Sequence, residues 1–381
     1  MRSSERFQVV NRCYQWQFSG MFKQVSSLEN VYNMQMGGAM KERKTEVAER
    51  EADSLGRVLV TGATGFIGFE MAKQLTRRGH DVRLMVRRPD RAALLRPFGA
   101  QLISADLTSP TSLRRAVEGV DTVFHLGARA VFESYARLRP TIVDGSVSLM
   151  QAAIEANSRN FVYASSLLVY NSQEEAIVAQ TPATPRVDYG QAKLEAENRL
   201  QRLAEGAGMS FAAIRLPHVY GATDLLFERI RRGLLLSIGS GENLYSHLHV
   251  RDAARLLIAV AERGWSGISA VGDERPTTWT EFFATLREHY PRFRQLRVPE
   301  WIARLGTELM RPLLSLRRRP SLMTPDTVIG WNLRLPVARN LLWDQLGVQP
   351  RYATIHEGIP AALDDCLAFR WQHPLSDRSP Y

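Results

Sequence analysis

Residues 57–68 read Arg-Val-Leu-Val-Thr-Gly-Ala-Thr-Gly-Phe-Ile-Gly. An apolar run breaks into glycines at 62, 65 and 68 and then becomes helical. This is the pattern of a first strand, a phosphate turn and a first helix. Gly62 allows the tight turn, Gly65 lets backbone approach a pyrophosphate, and Gly68 lets the helix pack closely on the strand, with the helix N-terminus aimed at the negative charge. The spacing is G-x-x-G-x-x-G rather than G-x-G-x-x-G, so the turn alone is weak and the rest of the chain decides.

Working outward, strand and helix alternate. A helix over Ile67 to Arg78 leads through Gly79 to a second strand, Asp81 to Val86, followed by Arg87 and Arg88. An acid at this strand end would hold a ribose 2′-hydroxyl; two arginines suit a 2′-phosphate and so favour NADP, with NAD as the alternative. Ala100 to Ala105 reads as a third strand, with Asp106 placed to meet an adenine amine, and Val120 to Leu126 as a fourth. A helix from about Pro140 to Ala156 precedes a fifth strand, Asn160 to Ser165. Repeated β-α units with apolar strands predict an α/β fold, a Rossmann-type doubly wound parallel sheet covered on both faces. Ligands in such sheets bind beyond the strand carboxyl ends, where these motifs lie.

The chain of 381 residues suits one large or two modest domains. Its 45% hydrophobic and 23% charged content is ordinary for a globular protein. Cys13 and Cys366 lie at opposite ends, without disulfide or metal-ligand spacing, which favours a reducing, cytoplasmic setting. No run reaches the roughly 18 apolar residues of a membrane span. The net charge of +10 accompanies no nucleic-acid-binding motif. Much of it is local, because residues 287–319 carry nine arginines against three acids.

The chemistry is carried by three side chains. Ser165-Ser166 ends the fifth strand, and 23 residues after Ser166 comes Tyr-Gly-Gln-Ala-Lys, Tyr189 to Lys193, opening a helix to about Ala204. Residues four apart share a helix face, so Tyr189 and Lys193 point together toward the edge where Ser166 sits. A tyrosine is a poor base at neutral pH until a nearby ammonium favours its phenolate, and a serine hydroxyl can polarise a substrate oxygen.

The order T-G-A-T-G-F-I-G, A-D-L, V-F-H-L-G-A, A-S-S-L-L-V-Y, Y-G-Q-A-K, I-R-L-P-H-V-Y-G and H-V-R-D-A-A, from Arg57 to Gly358, resembles the extended short-chain dehydrogenase/reductase family, also called the NAD-dependent epimerase/dehydratase family. The resemblance implies that Tyr189 is the catalytic acid/base, Lys193 its partner and a ribose ligand, and Ser166 the donor to the substrate oxygen. It further implies cofactor contacts at Gly62, Thr64, Gly65, Phe66, Ile67, Gly68, Arg87, Arg88, Asp106 and Leu107, and at Leu126, Gly127 and Ala128. Pro217 and His218 fall where the family's loop lies near the nicotinamide. Members often pair into homodimers through helices beside the fourth and fifth strands.

Departures from the family pattern bear on substrate. Ile142 replaces an asparagine common before the fifth strand. Leu167-Leu168 stand where sugar-nucleotide dehydratases carry Asp-Glu, and His218 and Tyr245-Ser246 stand where nucleotide-sugar epimerases carry diphosphate ligands. The remaining pattern resembles dihydroflavonol reductases and 3β-hydroxysteroid dehydrogenase-like enzymes, implying hydride transfer between NADP(H) and a secondary alcohol or ketone on a small hydrophobic substrate. A nucleotide-sugar epimerase or dehydratase with tightly held NAD, and a non-catalytic NADP-binding regulatory protein, are the rival expectations.

Residues 1–56 read as a loose extension, with Met40 a candidate alternative start; residues 57–220 and 245–268 are expected to form the cofactor domain. Residues 221–244 and 269–373 are expected to form a smaller, discontinuous substrate domain, closing in a helix after Leu346, with 374–381 a loose tail. From Pro299, Trp301, Ile302, Leu305, Leu309, Leu313 and Leu316 fall near one helical stripe, which Pro312 should kink or divide. Segment 299–319 either packs on its own domain or forms a lid that also rests on an anionic membrane surface.

Overall fold

The computed structural model describes residues 55–315, 324–339 and 341–372. The expectations for residues 1–54, including the start at Met40, and for the tail after 373 lie outside them. The fold is already under way at Leu55, two residues earlier than the sequence suggested: Leu55 is fully buried, and its carbonyl accepts a hydrogen bond from Thr122 Oγ1 at 2.8 Å.

Strands β1 (Val58–Thr61), β2 (Val82–Val86), β3 (Gln101–Ser104), β4 (Thr122–His125), β5 (Asn160–Ser166) and β6 (Ser210–Leu216) join an edge strand, Gly267–Ala270. They form one seven-stranded sheet, ordered Gly267–Ala270, β6, β5, β4, β1, β2, β3, and every pairing is parallel. The edge strand carries this sheet two residues past the boundary expected at 268, because Ser269 and Ala270 pair with Ile214 and Arg215.

Side-chain alternation along each strand feeds two cores. Val58, Val60, Phe124, Val162 and Ala164 pack on one face with helix α1 (Phe66–Arg77) and helix Val250–Glu262. Leu59, Val123, Phe161 and Tyr163 face the other way, onto α2 (Pro110–Val117), α3 (Tyr135–Arg139), α4 (Gly145–Glu155) and α5 (Asp188–Ala207). Each fully buried Val or Leu contributes roughly 1.5–3 kcal/mol. The helix expected from Pro140 starts earlier, at Tyr135, and widens into a π-turn over Pro140–Asp144 before α4. Ile142 is buried inside that turn.

A third core joins the turn after β5 to the C-terminal elements. Leu167, Val169 and Tyr170 pack with Tyr220, Trp279, Phe282, Leu335 and Ile359. Two motif residues hold the closing segment down. Asp252 accepts from the amides of Arg351 (2.7 Å) and Tyr352 (2.8 Å). Gly358 packs so tightly on Tyr220 that a Cβ there would lie 1.9 Å from its hydroxyl, before the final helix runs on to Gln372. Helix Glu300–Ser315 is not divided at Pro312.

Candidate active site

The strand order reverses between β1 and β4, and the carboxyl ends of these strands carry the glycine turn and the Leu126-Gly127-Ala128 edge. Gly62 has φ +70°, and a Cβ on it would meet Gly127 N at 2.8 Å. The Gly65 amide donates to Gly62 O at 2.9 Å and caps α1. A Cβ on Gly68 would sit 2.2 Å from that same carbonyl. Bare backbone and the N-terminus of a twelve-residue helix therefore meet at one point, a cradle that any Cβ would fill and that suits a dianionic pyrophosphate.

Behind the turn runs a buried polar chain that sequence reasoning missed. The Gly127 amide donates to Thr61 Oγ1 (2.9 Å), which lies 2.7 Å from His125 Nδ1; His125 Nε2 lies 2.8 Å from Ser146 Oγ, and Ser146 donates to Ile142 O (2.6 Å). The two ends fix the directions. Ser146 spends its proton on Ile142, so His125 donates through Nε2 and accepts from Thr61 at Nδ1. Burial and the Lys193 charge hold His125 neutral, lowering it to about 3. The chain ties β1 to β4 and to the π-turn. Its signal in the sequence is His125 in V-F-H-L-G-A, in the fourth strand.

Helix α5 begins at Asp188, whose amide donates to Asp326 Oδ2 (2.7 Å) and whose carboxylate accepts from the Tyr135 amide (2.8 Å). Its first turn lies against the turn after β5: a Cβ on Gly190 would be 1.9 Å from Leu168 O. One turn on, Lys193 Nζ donates to Ala164 O at 2.7 Å. Leu168 lies two residues after Ser166 and Ala164 two before it, so Tyr189, Lys193 and Ser166 share the carboxyl edge of β5. Ser166 Oγ accepts from the Leu168 amide at 3.2 Å.

Burial dominates the electrostatics of this face. Lys193 is 3% exposed, its Nζ 4.5 Å from the Tyr163 ring centroid and 5.9 Å from that of Tyr189. Burial lowers it to about 7, against the pull of Glu197, which raises it. Burial likewise raises Tyr189 far above the ordinary phenol range, so its hydroxyl keeps its proton. Glu197 is a second residue the sequence reading missed, although it continues the face at i, i+4, i+8. It is fully buried, receives Arg215 through Nη2 at 2.7 Å and Nε at 3.2 Å, and accepts from Ser165 Oγ; Arg215 Nη1 also donates to Tyr170 at 2.7 Å. This network pins α5 to β5 and β6.

The other expected positions are less uniform. Arg87 and Arg88 stand exposed at the end of β2, ahead of a short turn over Pro89–Arg91. Asp106 accepts from Thr108 through its amide (2.9 Å) and hydroxyl (2.7 Å). Its burial, which raises a carboxyl, is outweighed by these bonds and by Arg87, and the group is held low. His218 lies in a strand, His218–Tyr220, paired in parallel with His247–His249. Its Nδ1 is 3.0 Å from His247 Nδ1, and its ring packs on Trp279 and Phe282. Tyr245 and Ser246 are buried, the serine accepting from the Val337 amide at 2.9 Å, so they serve packing. An open depression of about 480 Å³ is lined by Gly239, Ser240, Arg297, Pro299, Glu300 and Asn332, none of them a candidate site residue. Among the described residues no helix is long and apolar enough to cross a membrane.

Residues 58–271 match the model of the NAD dependent epimerase/dehydratase family, more than half of the chain. The chain is 27% identical over 298 residues, 73% of its length and 88% of the relative's, to a 4-hydroxy-2-methyl-3-oxo-4-farnesyl-3,4-dihydroquinoline-1-oxide ketoreductase of Stigmatella aurantiaca. It is 27% identical over 318 residues, 81% of its length and 90% of the relative's, to a ceramide reductase of Caulobacter vibrioides. Among solved structures it superposes on a UDP-glucose 4-epimerase of Thermus thermophilus in complex with NAD, with a TM-score of 0.68 and 21% identity, covering 82% of this chain and 99% of that one. With the glycine cradle and the Tyr-Lys face in place, the chain belongs to the NAD-dependent epimerase/dehydratase family, as an NAD(P)-dependent oxidoreductase of the extended short-chain dehydrogenase/reductase type.

Proposed function

We propose that the protein is an NADP-preferring reductase that converts a ketone on an apolar substrate to a secondary alcohol, or runs the reverse oxidation. The observation that carries this is the placement of the half-buried Tyr189 on the helix face of Lys193 and at the β5 edge of Ser166, with Lys193 Nζ bonded to Ala164 O and Gly190 packed on Leu168 O. A phenol that keeps its proton suits donation to a carbonyl oxygen as that oxygen gains charge. Bound in the glycine cradle, the dinucleotide would supply hydride at its nicotinamide C4. Gly62, Thr64, Gly65, Phe66, Ile67 and Gly68 would hold the pyrophosphate, Asp106 and Leu107 the adenine side, and Leu126, Gly127 and Ala128 the middle of the dinucleotide. Lys193 would hold the ribose, with Pro217 and His218 near the nicotinamide. Ser166 would orient the substrate oxygen beside Tyr189. Arg87 and Arg88, exposed and both cationic, would meet a 2′-phosphate, the basis for preferring NADP.

Support for an apolar substrate comes from what replaces the proton-moving pair after Ser166. Leu167 is buried, Leu168 is half-buried, and Phe132 stands edge-on to Tyr189 with ring centroids 6.5 Å apart. The relatives include a reductase named for ceramide and one named for a farnesyl quinoline oxide, both ketone- or alcohol-bearing lipophilic compounds.

The test is titration of the purified protein with NADPH and NADH, after checking for bound dinucleotide, followed by a screen of lipophilic ketones. Exchangeable binding that favours NADPH at least tenfold, with that preference lost in Arg87→Ala/Arg88→Ala, is the expected result. Retained NAD, with turnover of a nucleotide sugar and no net change in cofactor, would replace this reading with an epimerase.

A further inference from the structure

Helix Glu300–Ser315 buries one face and leaves another open. Ala303 and Thr307 are each 2% exposed, and Ala303 packs with Ile238 and Val328. At 100° per residue, Trp301, Ile302, Leu305 and Leu309 fall within an arc of about 100° on a different side. They are 67%, 43%, 54% and 70% exposed, so the described residues leave much of this apolar face open. Four large apolar side chains on one helix face are not the scattered exposed hydrophobics of an ordinary surface.

The neighbouring ribbon extends the feature. Strands Leu234–Ile238 and Arg294–Val298 pair in parallel, placing Leu236 beside Leu296 and Ile238 beside Val298 on one face. The helix covers the Ile238 end of this face through Ala303, and the other end stays open, with Leu234, Leu236 and Leu296 at 48%, 40% and 52% exposure. Around these apolar groups stand Arg292, Arg294 and Arg304, all exposed, whereas Arg297 alternates to the opposite face of the ribbon and donates to Thr280 Oγ1 at 3.3 Å. The acids nearby are Glu300, paired with Arg304 at 2.5 Å, and Glu308.

We propose that this face docks the protein on the surface of an anionic lipid bilayer, with Trp301, Ile302, Leu305 and Leu309 in the headgroup-acyl boundary and the arginines against lipid phosphates. Apolar insertion and basic attraction act together in such binding, and a tryptophan is suited to the boundary. A second copy of the chain is the poorer occupant, because it would set one arginine-rich face against another and bring like charges together. The proposal does not depend on the reaction or its substrate, since it concerns binding alone.

The experiment is co-sedimentation of the full chain with vesicles of phosphatidylcholine containing about a third phosphatidylglycerol, and with phosphatidylcholine alone, at low and high salt. The wild type is expected to pellet with the anionic vesicles at low salt and to bind at least tenfold more weakly at high salt or without phosphatidylglycerol. Leu305→Glu/Leu309→Glu and, separately, Arg292→Glu/Arg294→Glu are expected to bind at least tenfold more weakly while keeping the wild-type circular dichroism and NADPH affinity. The proposal is overturned if the wild type stays in the supernatant with anionic vesicles at low salt, or if the leucine variant binds them as well as the wild type. It is equally overturned if sedimentation velocity shows a dimer that the leucine variant splits, which would make a second copy the occupant.

Discussion

Replacing Lys193 by methionine should remove turnover and make the fold more stable. Folding carries this amine from water, where a lysine titrates near 10.4, into a site where burial lowers it to about 7. At pH 7 the cost of that shift is about 4 kcal/mol. Methionine fills similar space without charge but gives up the bond to Ala164 O at 2.7 Å, a charge-assisted bond of roughly 1.5–3 kcal/mol. The net is a gain of about 1–2.5 kcal/mol, or about 1–3 °C in the unfolding temperature for a chain of this size.

The sign is checked by pH. Between about 7 and 10.4 the unfolded chain holds the lysine proton that the folded chain has released, so wild-type stability rises with pH through that window. From pH 7 to 9 the lysine contributes about 2 kcal/mol of added stability, which Lys193→Met should lack. Calorimetry of cofactor-free wild type and variant at both pH values measures the difference. A variant that melts below the wild type at pH 7, with the same pH dependence, would refute the claim that the ammonium is held against its preference.

Other perturbations test separate parts of the site. Glu197→Ala leaves Arg215, whose side chain is 11% exposed, without its carboxylate, and should cost about 3–5 kcal/mol in chemical denaturation. Gly68→Ala sets a Cβ 2.2 Å from Gly62 O and should displace α1 from the turn, weakening NADPH binding at least tenfold by titration. His125 and His249 are each held neutral down to about 3, chiefly by burial, so the unfolded chain takes up protons that the folded chain refuses as pH falls below about 6.5. Denaturation at pH 5 should therefore show a loss of about 2 kcal/mol per imidazole relative to pH 7.

The parallel sheet was legible because its strands are short apolar runs punctuated by glycines whose removal of a Cβ has a geometric reason at Gly62 and Gly68. Helical spacing put Tyr189 and Lys193 on one face, and their expected roles came from that spacing taken with Ser166, the phosphate turn and the family resemblance. What escaped was whatever depends on elements distant in sequence. The Thr61-His125-Ser146 chain needs β1, β4 and α4 brought side by side, and Glu197 acquires its meaning only when β6 delivers Arg215. The burial that lowers Lys193 and raises Tyr189 was not legible either: helical spacing sets which face a side chain occupies, while its burial depends on what packs over that face. Of the two outcomes expected at Pro312, a kink or a division, division does not occur, because one helix runs from Glu300 to Ser315.

The most direct test of the account is NADPH consumption with a lipophilic ketone by the wild type and by Tyr189→Phe, with NADPH affinity measured on both. The account predicts that the variant binds NADPH within about twofold of the wild type and loses turnover by at least about a hundredfold, the scale of a removed acid catalyst. A Tyr189→Phe protein that still reduces the ketone at the wild-type rate would contradict it.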